Sequence, residues 1–361
     1  MTKNDWISSE ICGSKEDFAK ISFRFSKSGE GRSPYLFRGL SDEKYPLVPS
    51  LFQDGFFEKC EEKHLQIYTR EELQEEEARL LLDFYRKCDR EALYLPDIPS
   101  VRQNALGNLF SYDTLMDISH RDSYYWLPGQ VFELAGLAQH YGVRTRVMDW
   151  TRNFLVAVWF ALNQTGKEKG KDAAVWAIDA EGLQDWQHQQ EEAIRQSSPF
   201  IAHRLDNEDH GNLSDDLLFE CYEDTLPLRF IVPPYHGNQN LYAQQGVLSM
   251  WRENMIRGTA EGGIKDIRVR ISDAVRAYRD SPLDDERKPL DERLVEYLNR
   301  TEAKNAKDSI GVSYQRHRPV MIEIVLKQNV FDDLHALLEF LNVNRMMLIP
   351  GYQEIAMDVS R

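Results

Sequence analysis

Nine consecutive apolar residues, Phe154 to Leu162, follow Asn153 without a polar interruption. Their length suits a helix, and Gly166 lies just past its end. A helix apolar on every side must be enclosed by other elements, so the chain has to supply covering layers around this segment. With 361 residues, 42% of them hydrophobic and 11% aromatic, it can build one large core or two ordinary ones.

The covering elements are legible from periodicity. Phe18, Ile21 and Phe25 recur at helical spacing within residues 14–27, before Ser28-Gly29-Glu30-Gly31. Leu73, Leu80, Leu81, Phe84 and Tyr85 mark a second helix between Glu71 and Cys88, with acids early and Arg86 and Lys87 late, as the helix dipole favours. Its run Glu75-Glu76-Glu77 points in three directions and reads as a solvated face rather than a metal site. Val131 to Tyr141 forms a third helix closed by Gly142, and the polar link 143–151 admits one brief strand. Asp149 or Thr151 is placed to cap the apolar helix.

Tyr35-Leu36-Phe37 begins a short strand that puts Arg38 at its end, and Pro46 and Pro49 bar a long helix after it. Ala173–Ile178, Leu228–Val232, Val247–Trp251 and Met321–Leu326 are further β-rich runs bounded by turn formers. The fold class expected is α+β: a mixed, mainly antiparallel sheet with flanking helices. Residues 253–317 are heavily charged and mainly helical in pattern, and they read as an insertion packed on one side of the sheet. No repeat or low-complexity linker divides the chain, so residues 1–361 are expected to form a single elaborated domain.

Charge and cysteine usage exclude several classes. A net charge of −15 repels phosphate backbones and anionic lipid, which argues against broad nucleic-acid binding. Cys12, Cys60, Cys88 and Cys221 are widely spaced and form no metal-ligand pattern with histidine, so no metal is expected. No signal-peptide core precedes residue 20, and no apolar run reaches the roughly 18 residues that span a bilayer. A cytoplasmic protein with reduced thiols and no membrane partner is the expectation. The chain also lacks a phosphate-binding P-loop, GxGxxG, HExxH and GxSxG, which disfavours common nucleotide hydrolases, zinc proteases and serine hydrolases.

Two blocks carry a resemblance. The first is Tyr35-Leu36-Phe37-Arg38-Gly39-Leu40 with Tyr45-Pro46-Leu47-Val48-Pro49-Ser50-Leu51-Phe52. The second is Leu137-Ala138-Gln139-His140-Tyr141-Gly142, Thr145-Arg146, Asp149-Trp150-Thr151 and Asn153, followed by the apolar helix. Fainter matches are Asn240 with Gln244-Gln245-Gly246, the run Met321–Leu326, and Leu348 to Tyr352. Together these resemble the FRG-domain family. A more distant likeness follows from order alone. ADP-ribosyltransferases of the Arg-Ser-Glu type present an Arg-Gly on a first strand, a Ser-Thr-Ser before a buried helix and a Glu on a later strand. Here Arg38-Gly39, Asp149-Trp150-Thr151 and Gln244-Gln245 occur in that sequence. The resemblance implies an ADP-ribosyltransferase-like core, with NAD as substrate and no resident cofactor. It also implies a bacterial toxin or antiphage defence effector that meets a macromolecular acceptor or a defence partner protein.

The residue types fit a dinucleotide. The Arg38 guanidinium can pair with phosphate or ribose oxygens, and Gly39 lets backbone groups approach a carboxamide. Thr151 and Asp149 can hold a ribose, while Tyr141, Arg146 and Gln244 complete the candidate binding set. Gln245 stands where a glutamate would stabilise oxocarbenium-like charge, and a neutral amide can position but not neutralise. His140 or Asp149 can supply the acid-base or electrostatic role if the fold brings them to Arg38. Catalytic candidates are therefore His140, Asp149 and Gln245.

Each residue also has a plain structural alternative. Arg38 can pair with a carboxylate, Gly39 and Gly246 can make turns, and His140 can cap helix carbonyls. A non-catalytic nucleotide- or ligand-sensing module, signalling to a partner through the charged insertion, stands beside the enzyme as the rival reading.

Overall fold

A computed structural model describes residues 7–26, 34–52, 70–98, 115, 125–164, 169–183, 228–232, 238–251, 253–254 and 320–349. Its strands are β1 (Ile7–Cys12), β2 (Tyr35–Leu40), β3 (Tyr125–Trp126), β4 (Met148–Thr151), β5 (Ala173–Asp179), β6 (Leu228–Ile231), β7 (Gly246–Trp251), β8 (Glu253–Asn254) and β9 (Met321–Leu326). Its helices are α1 (Lys15–Ser26), α2 (Arg70–Arg90), α3 (Phe132–His140), α4 (Phe154–Leu162), α5 (Gln239–Ala243), α6 (Phe331–Phe340) and α7 (Arg345–Leu348).

Seven strands make one sheet in the order β1-β9-β5-β2-β4-β7-β6, and β3 pairs with β8 separately. Among the described residues only β1 and β9 run parallel; the other pairings are antiparallel. The fold is thus α+β with a largely antiparallel sheet flanked by helices, as the β-rich runs predict. The polar link becomes β4, a central strand. The six-residue segment Ile7-Ser-Ser-Glu-Ile-Cys carries no continuous apolar run, yet it forms β1 because β9 offers it a full ladder from Ile7↔Met321 to Cys12↔Leu326.

Alternation along the strands builds three clusters. Phe37, Val175, Ala177, Ile322 and Ile324 face α1, α4 and α6, with Phe18, Phe25, Phe37 and Phe154 meeting ring to ring. Leu36, Met148, Trp150, Trp176, Ile178 and Val247 form a second cluster with Leu47 and Leu228. Helices α2 and α3 bury Leu81, Leu82, Leu134 and Ala138 with Val147, Leu248 and Met250. As its composition requires, α4 is enclosed: Val156, Ala157, Val158 and Ala161 are fully buried.

Three local expectations change. The cap of α4 is Asn153, whose side chain accepts a hydrogen bond from the Leu155 N–H, while Thr151 accepts from the Asn153 N–H one step earlier. Asp149 and Thr151 lie within β4 instead, because its pairing with β7 extends from Met148 to Thr151. The solvated reading of Glu75-Glu76-Glu77 holds for Glu75 but not for Glu77, which is fully buried against Arg146 and Trp126. Of the charged stretch 253–317, Glu253 and Asn254 form β8, and the remainder lies outside the described residues. Among the described residues no helix is long and apolar enough to cross a membrane, and no group of three or more His, Cys, Asp or Glu side chains is arranged to hold a metal.

Candidate functional site

Three stations far apart in sequence meet at the centre of the sheet. Phe37 of β2 sits opposite Thr151 of β4, and Thr151 sits opposite Gly246 of β7. Arg38, the Asp149–Thr151 segment and Gln244-Gln245 are therefore neighbours across adjacent strands. The β2–β4 ladder consists of that single pair, whereas β2 and β5 pair along six positions. Next to this short ladder lies Arg38, whose Nη1 donates to the Asp149 main-chain oxygen at 2.6 Å.

Arg38 is half-buried, and its Nε is buried without a hydrogen-bond partner. No carboxylate of the described residues forms an ion pair with it. Burial pushes its guanidinium below the ordinary arginine range, and the nearby Asp149 charge opposes that shift. Arginine stays cationic under such a shift, so a desolvated positive charge is held here by one backbone carbonyl.

Asp149 is exposed, and it is tethered through both backbone and side chain. Its carbonyl accepts from Arg38, and its Oδ2 accepts from the Gln139 side-chain amide. Gln139 Oε1 in turn accepts from the Thr145 hydroxyl, and that hydroxyl oxygen accepts from the Val147 N–H. His140, the last residue of α3, meets the Asn240 side chain of α5 through Nε2. Burial lowers the His140 pKa, while Asp149 pulls it the other way. The imidazole is thus biased toward its neutral form, beside an acidic side chain. Tyr141, exposed, sets its ring edge-on to His140 with centroids 5.4 Å apart.

Other sequence candidates have structural duties. Arg146 does not reach the cluster: its Nε donates to Glu77 Oε2 at 2.5 Å and its main-chain N–H to Glu77 Oε1 at 3.2 Å, both deeply buried. Burial of the pair removes Arg146 from the binding set. Gly39 turns its Cα toward α4; a Cβ there would lie 2.0 Å from the Ala157 carbonyl oxygen and 2.6 Å from the Ala161 nitrogen. That glycine serves helix–strand packing. Thr151 is buried, and its hydroxyl donates to the Gln244 carbonyl at 2.6 Å, so it joins β4 to the turn before β7 rather than facing a ligand. The Gln244 amide donates to the Leu348 carbonyl at 3.0 Å. Gln245 is exposed at φ +50°, and its carbonyl accepts from the Arg152 N–H.

What the arrangement brings together is Arg38, Gln139, His140, Thr145, Asp149 and Asn240. Gln139, Thr145 and Asn240 thus join the candidate set, and all three stand inside the sequence blocks quoted above.

Residues 33–170 match the family model of the FRG domain. The chain carries an FRG domain. No curated protein and no solved structure matches the chain. The FRG segment contributes Arg38, Gln139, His140, Thr145 and Asp149, while Asn240 and Gln244 approach from beyond it. The likeness to ADP-ribosyltransferases accordingly rests on the order of the stations.

Proposed function

We propose that the cluster around Asp149 binds NAD and cleaves its nicotinamide glycosidic bond, passing ADP-ribose to a macromolecular acceptor or to water. The observation that carries this reading is Arg38, a half-buried cation with no carboxylate partner among the described residues and an unmatched Nε. An unmatched buried donor is costly, and a phosphate or ribose oxygen would satisfy it through a charge-assisted hydrogen bond.

The remaining groups have consistent roles. As the bond between the ribose C1′ and the nicotinamide nitrogen breaks, its electron pair leaves with nicotinamide and positive charge develops on the ribose. The Asp149 carboxylate, fixed by Gln139, would stabilise that charge. His140, favoured neutral by burial, would take the proton from the attacking hydroxyl or water. A toxin or antiphage defence effector is the setting implied by the FRG resemblance.

One observation favours a second reading. At the station where ADP-ribosyltransferases present glutamate, this chain has Gln244, tied to Leu348, and Gln245. Without that charge the same cluster would serve as a nucleotide sensor that signals to a partner. Release of nicotinamide from NAD by wild-type protein and by Arg38→Ala, with thermal stabilisation read on the same samples, separates the two. The enzyme reading expects turnover that disappears in the variant. Stabilisation without turnover supports the sensor, and the absence of both removes NAD.

A further inference from the structure

The hydrogen bonds around Asp149 have a direction that can be worked out. The Thr145 hydroxyl oxygen accepts from the Val147 N–H and has one proton to give, which goes to Gln139 Oε1. The Asp149 carboxylate can only accept, so Gln139 Nε2 must face Oδ2 and donate to it, which leaves Oε1 toward Thr145 to accept that proton. A carboxylate accepts hydrogen bonds from an amide and offers none in return, so the chain is consistent from Val147 to Asp149 without an alternative orientation of the amide.

The base of this relay is firmly held. Glu77 accepts from the Arg146 main-chain N–H, from Arg146 Nε and from Trp126 Nε1, the last at 2.8 Å, all in the buried interior. Thr145 also exchanges hydrogen bonds with Ser50: its N–H donates to Ser50 Oγ, and its carbonyl accepts from that hydroxyl, each at 3.2 Å. Segment 145–147 is therefore pinned by α2, β3 and the Ser50 turn, and Gln139 transmits that fixed position to the exposed Asp149. Stability alone gives little reason to immobilise a surface carboxylate in this way. A site that must present one oxygen to a ligand benefits from it directly.

We infer that Gln139 is a positioning residue: with Thr145 it holds the Asp149 carboxylate by Oδ2 and leaves Oδ1 turned to the bound ribose. This rests on the nucleotide reading above and deepens it by assigning the carboxylate a fixed orientation. The length of the Gln139 side chain is the critical quantity, because the amide has to span Thr145 and Asp149 at once.

The test exchanges one methylene between the two partners, using full-length protein. Gln139→Asn shortens the donor and Asp149→Glu lengthens the acceptor. Affinity for ADP-ribose and for NAD is measured by calorimetry, with apo thermal stability as a control and the Gln139 side-chain amide signal followed by NMR. Gln139→Asn alone is expected to weaken binding about tenfold or more, the scale of a lost hydrogen bond to a charged group. The double variant Gln139→Asn/Asp149→Glu is expected to recover most of that loss, and Thr145→Val to shift the Gln139 amide signal. Wild-type affinity in Gln139→Asn, or a double variant weaker than both single variants, overturns the positioning role while leaving the nucleotide reading intact. If the wild-type protein binds neither ADP-ribose nor NAD, the nucleotide reading fails and the positioning role fails with it.

Discussion

At the scale of single residues, burial lowers the pKa of two members of the candidate site, Arg38 and His140. His140 shows this most directly. Burial lowers its pKa in the folded protein, and Asp149 only partly opposes the effect. The unfolded chain titrates near the ordinary histidine value of about 6.5. As pH falls through that value, the unfolded state takes up a proton that the folded state still refuses, so folding stability declines until pH drops below the folded value. His140→Gln removes this contribution. Urea denaturation at about pH 7.5 and about pH 5.5 should show a smaller loss of stability on acidification in the variant than in wild type; equal losses would contradict the assignment. The resemblance and the residue chemistry together pointed to Arg38, His140 and Asp149, which the structure places near one another. Residue type misled at Arg146 and Glu77. Each looked solvent-facing or ligand-facing by local pattern, and their pairing joins positions 69 apart in sequence, which no local period can reveal.

At the scale of elements, periodicity was a reliable guide wherever one face was apolar. Helices α1 to α4 and strands β2, β5, β6, β7 and β9 lie within a few residues of their expected spans. Strand β1 was illegible because its pairing, more than its composition, makes it a strand. Helix α6 was also missed, although Leu334 and Leu338 give it a buried stripe four residues apart. At Gly39 the backbones of β2 and α4 come together with no room for a Cβ. Gly39→Ala would drive a methyl group into the backbone of α4 at Ala157 and Ala161, which a side-chain rotation cannot relieve. A loss of about 1–3 kcal/mol or more is expected for such overpacking. Gly13→Ala is the matched control, since nothing lies within 4 Å of its added Cβ. Denaturation midpoints of the two variants should differ clearly, and similar midpoints would refute the packing role.

At the scale of the molecule, the FRG segment supplies the centre of the sheet and too little else to complete it. Within residues 33–170, β2 and β4 touch through one bridged pair, while their long ladders are with β5 and β7 from beyond that segment. A fragment limited to 33–170 is therefore expected to lack a cooperative unfolding transition, as judged by near-ultraviolet circular dichroism and urea titration. A sharp transition in that fragment would show that the segment folds by itself.

The same strand order has a consequence for how the protein is made. Synthesis delivers β2 and β4 before any of their long-ladder neighbours, and β1, the earliest strand among the described residues, waits for β9, the latest among them. On the ribosome, β5 and β7 cover the open edges of β2 and β4 as they emerge, but the outer edge of β5 stays unsatisfied until β9, beyond residue 320, has appeared. Such distant pairings slow folding and leave open strand edges available to other chains. Nascent protein should thus depend on chaperone cover late in translation, at the moment when the last strand closes the sheet over the first.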